Sequence, residues 1–471
     1  MKKIKTCLPA GKVTMQNSNF FKVLYQSKKK GSKARLGEIK TAHGVIKTPS
    51  FVAVGTKGTV KSLLPSLLKE IGTQVAFVNT YHLVTHPGVE VIEKAGGVHR
   101  YTNLNIPLMS DSGGFQVFSL MRKNKSEILN SKSQTNSNFK ILNSKQFDKL
   151  TVKFVKISDD GVKFRSVFDG TILEFTPEKS IEYQQKIGAD IMMAFDECIP
   201  YGVSYQYTKE ATERTHQWLK RCIDYRNKSE IRNSKFQTNS KFKIQNSKPI
   251  QNFKVLNFKN SNFDIVSGFD IRASNFQYLY GIIQGGMFED LRKKSAKFVV
   301  SQSIPGVAIG GVSVGESKKE MRDQVRWVSP FLPKDRPVHL LGVGEFDDIL
   351  DLVKHGIDTF DCVEPTRLAR MGIIYKNEKI KNKNLPSESE GDNEKLKIKK
   401  IDILKGVYRE DLSKVDENCN CYVCQNFTKS YLHHLFKNRE LLAYTLATYH
   451  NLFIMEKFFS WIRKMIERDL I

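Results

Sequence analysis

Between residues 74 and 362 the chain repeats one local pattern. A short run of consecutive apolar residues stops abruptly at a polar or glycine cluster, and a helical spacing of apolar positions often follows. Gln74-Val-Ala-Phe-Val78 stops at Asn79-Thr80, and Ile106-Pro-Leu-Met-Ser110 stops at Asp111-Ser-Gly-Gly-Phe115. Asp190-Ile-Met-Met-Ala-Phe195 stops at Asp196-Glu-Cys198, and Tyr278-Leu-Tyr-Gly-Ile-Ile283 at Gln284-Gly-Gly286. Val307-Ala-Ile309 meets Gly310-Gly311, Val338-His-Leu-Leu341 meets Gly342, and Asp358-Thr-Phe360 meets Asp361-Cys362. These runs are apolar throughout rather than alternating, as in strands buried on both faces. Phe346, Ile349, Leu350 and Val353 keep the i, i+3, i+4, i+7 spacing of a helix, and Leu291–Ser303 and Ser317–Phe331 are further expected helices. Strand, polar tip, helix, repeated seven or so times, is a parallel α/β signature. An open doubly wound sheet would gather its ligand groups at one switch point. Polar tips on nearly every strand suit a (β/α)8 TIM barrel instead, with a ring of strand ends facing one site.

Three stretches break the pattern. Residues 123–149, 227–275 and 376–400 are rich in Asn, Ser, Lys and Gln, and the first two share a repeat: Asn130–Lys145 and Asn233–Lys248 differ at three of 16 positions. Two copies are too few for a solenoid. Their polar composition buries too little surface to offset ordering entropy, so they are expected to be flexible loops on an existing domain. The rival expectation is that they are RNA-binding arms.

Over 471 residues, a hydrophobic share of 40% supports a sizeable core and excludes wholesale disorder. Lys+Arg 75 against Asp+Glu 49 gives a net charge of +26, which favours polyanionic partners. No apolar run approaches the roughly 20 residues of a membrane span. The basic N-terminus, Met1 to Phe20, lacks the apolar segment of a secretory signal, so a cytoplasmic protein is expected. Seven cysteines are an odd count for a disulfide framework.

Asp111, Asp196 and Asp361 sit at strand tips. A lone aspartate there is often a helix cap. Three at one end of a barrel are harder to explain that way. Carboxylates sharing a pocket have separated pKa values, so one can act as nucleophile while another moves protons, the chemistry that breaks and remakes a glycosidic bond. The glycines after Asp111, Gln284 and Ile309 permit close approach of a flat ligand, Phe115 could stack on it, and Gln284 offers a donor and an acceptor to a nucleobase edge. Nothing resembles a dinucleotide or ATP loop. Cys419, Cys421 and Cys424 supply three thiolates within six residues, a cluster that suits zinc. A fourth ligand could be His433, His434 or His450, which would close a structural site. Thr366-Arg-Leu-Ala-Arg370 follows the Asp361 strand, and its two arginines could hold phosphate.

Taken in order, Asp111-SGGFQ, Phe195-DECIP, Gly281-IIQGG, Gly310-GVSVGE, Leu341-GVGEFDDIL, Phe360-DCVEPTR and Cys419-x-Cys-x-x-Cys resemble the queuosine tRNA-guanine transglycosylase family, from about Phe21 onward. The resemblance implies a TIM barrel (residues 21–410, behind a basic extension, 1–20) and a zinc-binding C-terminal subdomain (411–471). It implies exchange of the wobble guanine, position 34 of tRNAs with GUN anticodons, for a 7-deazaguanine. Asp361 would be the nucleophile that forms a covalent tRNA adduct, and Asp111 the proton acceptor. Asp111, Ser112, Gly113, Gly114, Phe115, Asp196, Gln284 and Gly311 would bind the base. Gly342, Val343, Gly344, Glu345, Phe346, Asp347 and Asp348 would contact RNA, as would Thr366, Arg367, Leu368, Ala369 and Arg370. One structural Zn2+ per chain would sit on Cys419, Cys421, Cys424 and His450, the 26-residue Cys424-to-His450 spacing matching the family pattern. Cys198 and Val314 resemble the bacterial pocket, which takes 7-aminomethyl-7-deazaguanine. A homodimer without membrane attachment is implied. Phe115 stands where many bacterial members have tyrosine. Glu364 and Leu368 replace an apolar and a small or polar residue, and Glu364 would bring a repulsive charge near RNA. A non-catalytic RNA-binding partner on this fold would lack Asp111 and Asp361. An archaeosine-type enzyme would be expected to carry a further C-terminal RNA-binding domain.

Overall fold

The computed structural model describes residues 20–115, 155–166, 169–239, 277–381 and 394–471. The insert 123–149, the second insert from residue 240 to 275 and most of the N-terminal extension (1–19) lie outside them. Strands β1 (Phe21–Gln26), β2 (Arg35–Thr41) and β3 (Gly44–Thr48) form an antiparallel sheet. The next strands are β4 (Ser50–Val54), β5 (Ala76–Val78) and β6 (Leu108–Ser110), then a small antiparallel sheet of β7 (Val155–Ser158), β8 (Gly161–Arg165) and β9 (Ile172–Phe175). Five more follow: β10 (Ile191–Met193), β11 (Tyr278–Ile283), β12 (Gly306–Ile309), β13 (Val338–Leu340) and β14 (Thr359–Cys362). The closed barrel runs β4-β5-β6-β10-β11-β12-β13-β14 and back to β4, all pairs parallel.

All seven apolar runs read from the sequence are barrel strands. The eighth, Ser50-Phe-Val-Ala-Val54, closes the ring between β14 and β5 and was not among them. It emerges from Pro49 and ends at Gly55-Thr-Lys-Gly58, a tip of the same kind as the others. The expected helices form as Glu289–Ser301, Lys318–Val328 and Phe346–Leu352. Ser317 caps the second of these in a capping box with Glu320, which stops it from starting earlier.

Inserts were expected at 227–275 and 376–400, and both boundaries need correction. Residues 227–239 continue the helix Tyr205–Asn239. Residues 373–381 and 394–402 are β15 and β16, an antiparallel hairpin paired residue for residue from Ile373↔Asp402 to Lys381↔Glu394. Lysine-rich, weakly apolar strands do not show the alternation that announces a sheet with one buried face, yet Ile374 and Tyr375 are fully buried.

Inside the barrel, Val52, Phe77, Met109, Ile191, Met193, Tyr280, Ile282 and Ala308 form one apolar cluster. Phe20, Ile39 and Ile46 from the N-terminal sheet join it, and the Phe20 ring stacks on Tyr278 at 3.7 Å. Tyr278 opens β11, so this sheet plugs the N-terminal end of the barrel, and among the described residues no such sheet covers the C-terminal strand ends. The helix Leu441–Glu467 packs against the β14–β4 seam, with Phe459 5.8 Å from Phe360 and 6.2 Å from Phe51. Arg463 donates to the Pro49 carbonyl (2.7 Å), and Asn451 bonds the backbone of Pro365, Ile373 and Tyr375. The C-terminal segment thus serves as the last outer helix of the barrel. No helix among the described residues is long and apolar enough to cross a membrane.

Candidate active site

Asp361 lies at the C-terminal end of β14. Phe360 packs into the outer core, so strand alternation turns Thr359 and Asp361 inward. On β13 the same alternation turns His339 inward between Val338 and Leu340. His339 Nε2 is 3.2 Å from Asp361 Oδ1, and its Nδ1 is 2.9 Å from Thr359 Oγ1. The Thr359 hydroxyl can donate to Nδ1, which leaves the proton of a neutral ring on Nε2, facing the carboxylate. The Gly342 N–H donates to the same Oδ1 at 3.0 Å. Among the described residues Oδ2 has no recorded hydrogen bond. One oxygen of Asp361 is therefore anchored and the other is available. His339 was missed in the sequence because it lies inside an apolar run; a lone polar residue at an inward position of a barrel strand was the available signal.

Asp111 is held at the tip of β6. Thr80 N–H donates to its Oδ1 at 2.7 Å, the Asn79 amide donates to its Oδ2, and its carbonyl accepts from Thr80 Oγ1 (2.6 Å). These are neutral donors to a carboxylate. The adjacent Ser112 donates to Asp196 Oδ1 (2.9 Å), and Gln284 Nε2 donates to Asp196 Oδ2 (2.7 Å). Asp196 forms no salt bridge among the described residues, and burial pushes its carboxyl up to about 6 despite those hydrogen bonds. Its neighbour Glu197 is matched instead, by Arg214 and by Tyr207 (2.6 Å). Among the described residues Gln284 Oε1 is buried with no hydrogen-bond partner, an acceptor left over once the amide nitrogen is engaged.

The glycines make room for this arrangement. A Cβ on Gly114 would meet the Asp196 carbonyl at 2.5 Å, and one on Gly311, whose φ is +62°, would meet Gln284 Oε1 at 2.2 Å. Beside them is a small pocket lined by Ile199, Tyr201, Met287, Gly311 and Val314, among others. Cys198 lies at this edge as a neutral thiol, pushed by burial up to about 12. Phe115 is half exposed at the end of the Ser112–Phe115 turn. Arg292, also missed in the sequence, is fully buried below the pocket and donates to the carbonyls of Gly310 (2.6 Å), Gly311 (2.6 Å) and Gly286 (2.8 Å). It clamps two glycine loops from one point. An arginine in the first turn of an amphipathic helix gives no sequence sign of pointing inward.

The expected RNA-contacting segments border Asp361 but are not uniformly free. Asp347 pairs with Lys318 (2.8 Å) and Arg322 (2.7 Å), and Asp348 with Arg322 (2.6 Å), tying two outer helices together. Gly344 has no space for a side chain, since its Cβ would lie 2.4 Å from Cys362 Cβ. Thr366 and Ala369 are buried, Arg370 donates to the Thr366 carbonyl (2.7 Å), and Arg367 is exposed.

Cys419, Cys421, Cys424 and His450 converge in the C-terminal segment and are all buried. His450 Nδ1 lies 3.9, 3.4 and 3.3 Å from the three sulfurs. Tetrahedral bonds of about 2.3 Å to sulfur and 2.0–2.1 Å to nitrogen put such atoms about 3.6 Å apart. His450 Nε2 is 2.7 Å from the Tyr375 carbonyl, so it carries the proton and presents the Nδ1 lone pair to the sulfurs. This group can hold a metal ion. His433 bonds the Ile403 carbonyl (2.7 Å), and His434 lies near Asn438, so neither joins the cluster.

A sequence model of the queuine tRNA-ribosyltransferase family matches residues 29–147, 134–244 and 263–471. A queuine tRNA-ribosyltransferase of Thermoanaerobacter pseudethanolicus is 39% identical over 449 residues, covering 95% of this chain and 94% of the relative. That of Aquifex aeolicus is 38% identical over 440 residues, 93% of each chain. That of Dictyoglomus turgidum is 36% identical over 446 residues, 95% of this chain and 90% of the relative.

Proposed function

The chain belongs to the queuine tRNA-ribosyltransferase family, a glycosyltransferase family, and from that membership we propose that it exchanges the wobble guanine of GUN-anticodon tRNAs for 7-aminomethyl-7-deazaguanine. The observation that carries this reading is Asp361: one carboxylate oxygen is anchored by His339 and the Gly342 N–H, and the other is free at the open end of the barrel. Asp361 Oδ2 attacks ribose C1′ of the wobble nucleotide. Guanine departs with the electron pair of the C1′–N9 bond and takes a proton from solvent. The product is a glycosyl ester between enzyme and tRNA. Asp111, hydrogen-bonded by Asn79 and the Thr80 N–H, takes the N9 proton of the incoming base and passes it to solvent. That nitrogen attacks C1′ from the vacated face and releases the Asp361 carboxylate.

Asp196, with a carboxyl near neutrality, and Gln284, with its unsatisfied Oε1, suit the edge of a guanine-like base, which offers both donors and acceptors. Ser112, Gly113, Gly114 and Phe115 form the bed of the base, and Cys198 and Val314 flank the side that takes the 7-substituent. The exposed members of Gly342–Asp348 and Thr366–Arg370 face the anticodon backbone, with Arg367 the exposed cation among them. Cys419, Cys421, Cys424 and His450 hold one Zn2+ per chain; with four protein donors the ion supplies structural closure and no open position for chemistry. A cytoplasmic homodimer fits this activity.

The test is incorporation of radiolabelled guanine into an unmodified GUN-anticodon tRNA by the full chain, with trapping of a covalent tRNA–protein adduct. Exchange with an adduct is expected. Tight tRNA binding with neither exchange nor adduct would replace this reading with that of a non-catalytic RNA-binding partner.

A further inference from the structure

Lys400 stands on β16 opposite Tyr375, inside a stretch that looked like an insertion by composition alone. Its Nζ lies 2.7 Å from Glu345 Oε1 and 2.6 Å from Glu364 Oε1. The two carboxylates come from different barrel loops. Glu345 precedes the helix Phe346–Leu352, three residues after the Gly342 N–H that anchors Asp361. Glu364 opens the helix Glu364–Arg370, three residues after Asp361 itself. A single ammonium thus ties together the loops that carry the nucleophile and its anchor.

We propose that Lys400 is a positioning residue for tRNA: it joins the β13 and β14 loops through Glu345 and Glu364 and offsets their charge where the phosphate backbone approaches. The inference rests on the tRNA-modifying function proposed above and deepens it. Removal of the ammonium would leave two adjacent carboxylates beside the path of a polyanion, a like-charge arrangement that suppresses association. The side chains are partly buried, at 33% exposure for Lys400, 35% for Glu345 and 19% for Glu364, so water screens them incompletely. Burial together with the neighbouring Glu345 raises the Glu364 carboxyl, while Lys400 outweighs the burial of Glu345 and lowers it. The ring of Phe346 meets the buried Tyr375 ring edge-on at 4.9 Å, which fixes the hairpin against the β13 loop and holds Lys400 in register. Glu364 therefore shares a cation with Glu345 rather than standing as an unpaired charge at the RNA edge, and that cation lies 36 residues further along the chain.

The dissociation constant of an unmodified GUN-anticodon tRNA is measured by fluorescence anisotropy for the full chain. Lys400→Met is expected to weaken binding about tenfold. Lys400→Arg should keep most of the affinity. Lys400→Met combined with Glu364→Gln should recover most of the loss, because the single remaining carboxylate carries the same net charge as the two carboxylates with their ammonium. A merely structural role predicts the opposite for the pair: the second change restores nothing. Unchanged affinity in Lys400→Met overturns the proposal, as does a double variant no better than the single one. Guanine exchange by the unsubstituted chain is run alongside. Its absence with tRNA binding intact would count against the proposed reaction alone, and the affinity series would still decide the role of Lys400.

Discussion

Two barrel strands have aspartates at both ends. Asp190 precedes β10 and Asp196 follows it; Asp358 precedes β14 and Asp361 lies at its far end. At the N-terminal end, Asp358 is fully buried against Arg35, which donates through Nε (2.9 Å) and Nη2 (2.6 Å), and the Val338 N–H adds a third donor (2.7 Å). Asp190 receives His43 (2.8 Å), His99 (3.1 Å) and the Leu108 N–H (2.9 Å). Burial alone would raise its carboxyl, but the hydrogen bonds from the two histidines hold it well below the usual carboxylate range. The imidazoles stack 3.4 Å apart with 9° between their planes, so one ion cannot lie in both ring planes, and the trio reads as a hydrogen-bonded clamp rather than a metal site. At the C-terminal end, Asp111 and Asp196 receive neutral donors, and Asp361 receives a backbone N–H and the His339 ring. Asp190 and Asp358 are saturated at the closed end, whereas at the open end Asp196 is met by neutral donors alone and Asp361 keeps one carboxylate oxygen without a hydrogen bond among the described residues. Paired charge there secures the barrel; the uncompensated carboxylates of Asp196 and Asp361 are available to a ligand.

The comparison breaks most visibly at β14. Asp361→Asn should reduce guanine exchange by more than about 10³-fold, because an amide cannot form the glycosyl ester, while thermal stability stays close to that of the parent. Asp358→Asn should do the reverse. It leaves the Arg35 guanidinium buried without its counter-charge and turns an amide N–H toward the Val338 N–H, at a cost of about 3–5 kcal/mol. Exchange per folded molecule should persist. Denaturation midpoints and active-site-normalised rates separate the two variants. A stability loss in Asp361→Asn equal to that of Asp358→Asn would erase the distinction between the ends.

Strand β10 offers a subtler contrast, in pH. Asp196 has a folded carboxyl raised to about 6, above the roughly 4 of an unfolded aspartate. The folded state then binds more protons between those values, so this residue costs stability as pH rises from about 4 through 6, and the cost persists above. Asp196→Asn should raise stability at pH 7 by on the order of 1–3 kcal/mol and lose that advantage near pH 4, while exchange falls. Asp190 carries the opposite sign. Its lowered carboxyl adds stability above about pH 4, and that stability is lost as pH falls toward the folded value. Stability of Asp196→Asn that matches the parent at every pH would mean that this carboxyl is not strained by burial.

Much of this was legible in the chain. Seven strand tips and their order announced the barrel, and Asp111, Asp196, Gln284, Gly311 and Asp361 all fall at its open end. What was hidden shares one physical cause: local patterning reports which face a residue takes, not which distant group meets it. Asp190 and Asp196 bracket one apolar run and look alike, yet the partners of Asp190 stand 147 and 91 residues away, and Arg35 stands 323 residues from Asp358. Polar composition misled at the β15–β16 hairpin, where packing against Phe346 and the long C-terminal helix orders strands that have little apolar character of their own. The three-cysteine cluster was plain, whereas the choice among three histidines needed either the family spacing or the fold.

The gentlest probe is His43, at the rim of the closed end with 32% of its side chain exposed. His43→Ala removes one of three donors to Asp190 and the stacking partner of His99, while His99 and the Leu108 N–H remain. A part-exposed hydrogen bond of this kind contributes about 0.5–1.5 kcal/mol, and solvent screening places the expected loss at the lower end. With one donor fewer, the Asp190 carboxyl should move back toward its ordinary value. The stability that a lowered carboxyl provides exists only above the unfolded pKa, so the deficit of the variant should be full at neutral pH. It should shrink as pH falls below about 4, where the carboxylate protonates in the unfolded chain and its advantage disappears. Exchange at neutral pH should be unaffected, since His43 lies at the opposite end of the barrel from Asp361. Thermal denaturation from pH 3 to 8, with exchange rates at pH 7, reads both quantities. A fall in exchange without a fall in stability would show that the two ends of the barrel communicate and are not built to separate purposes.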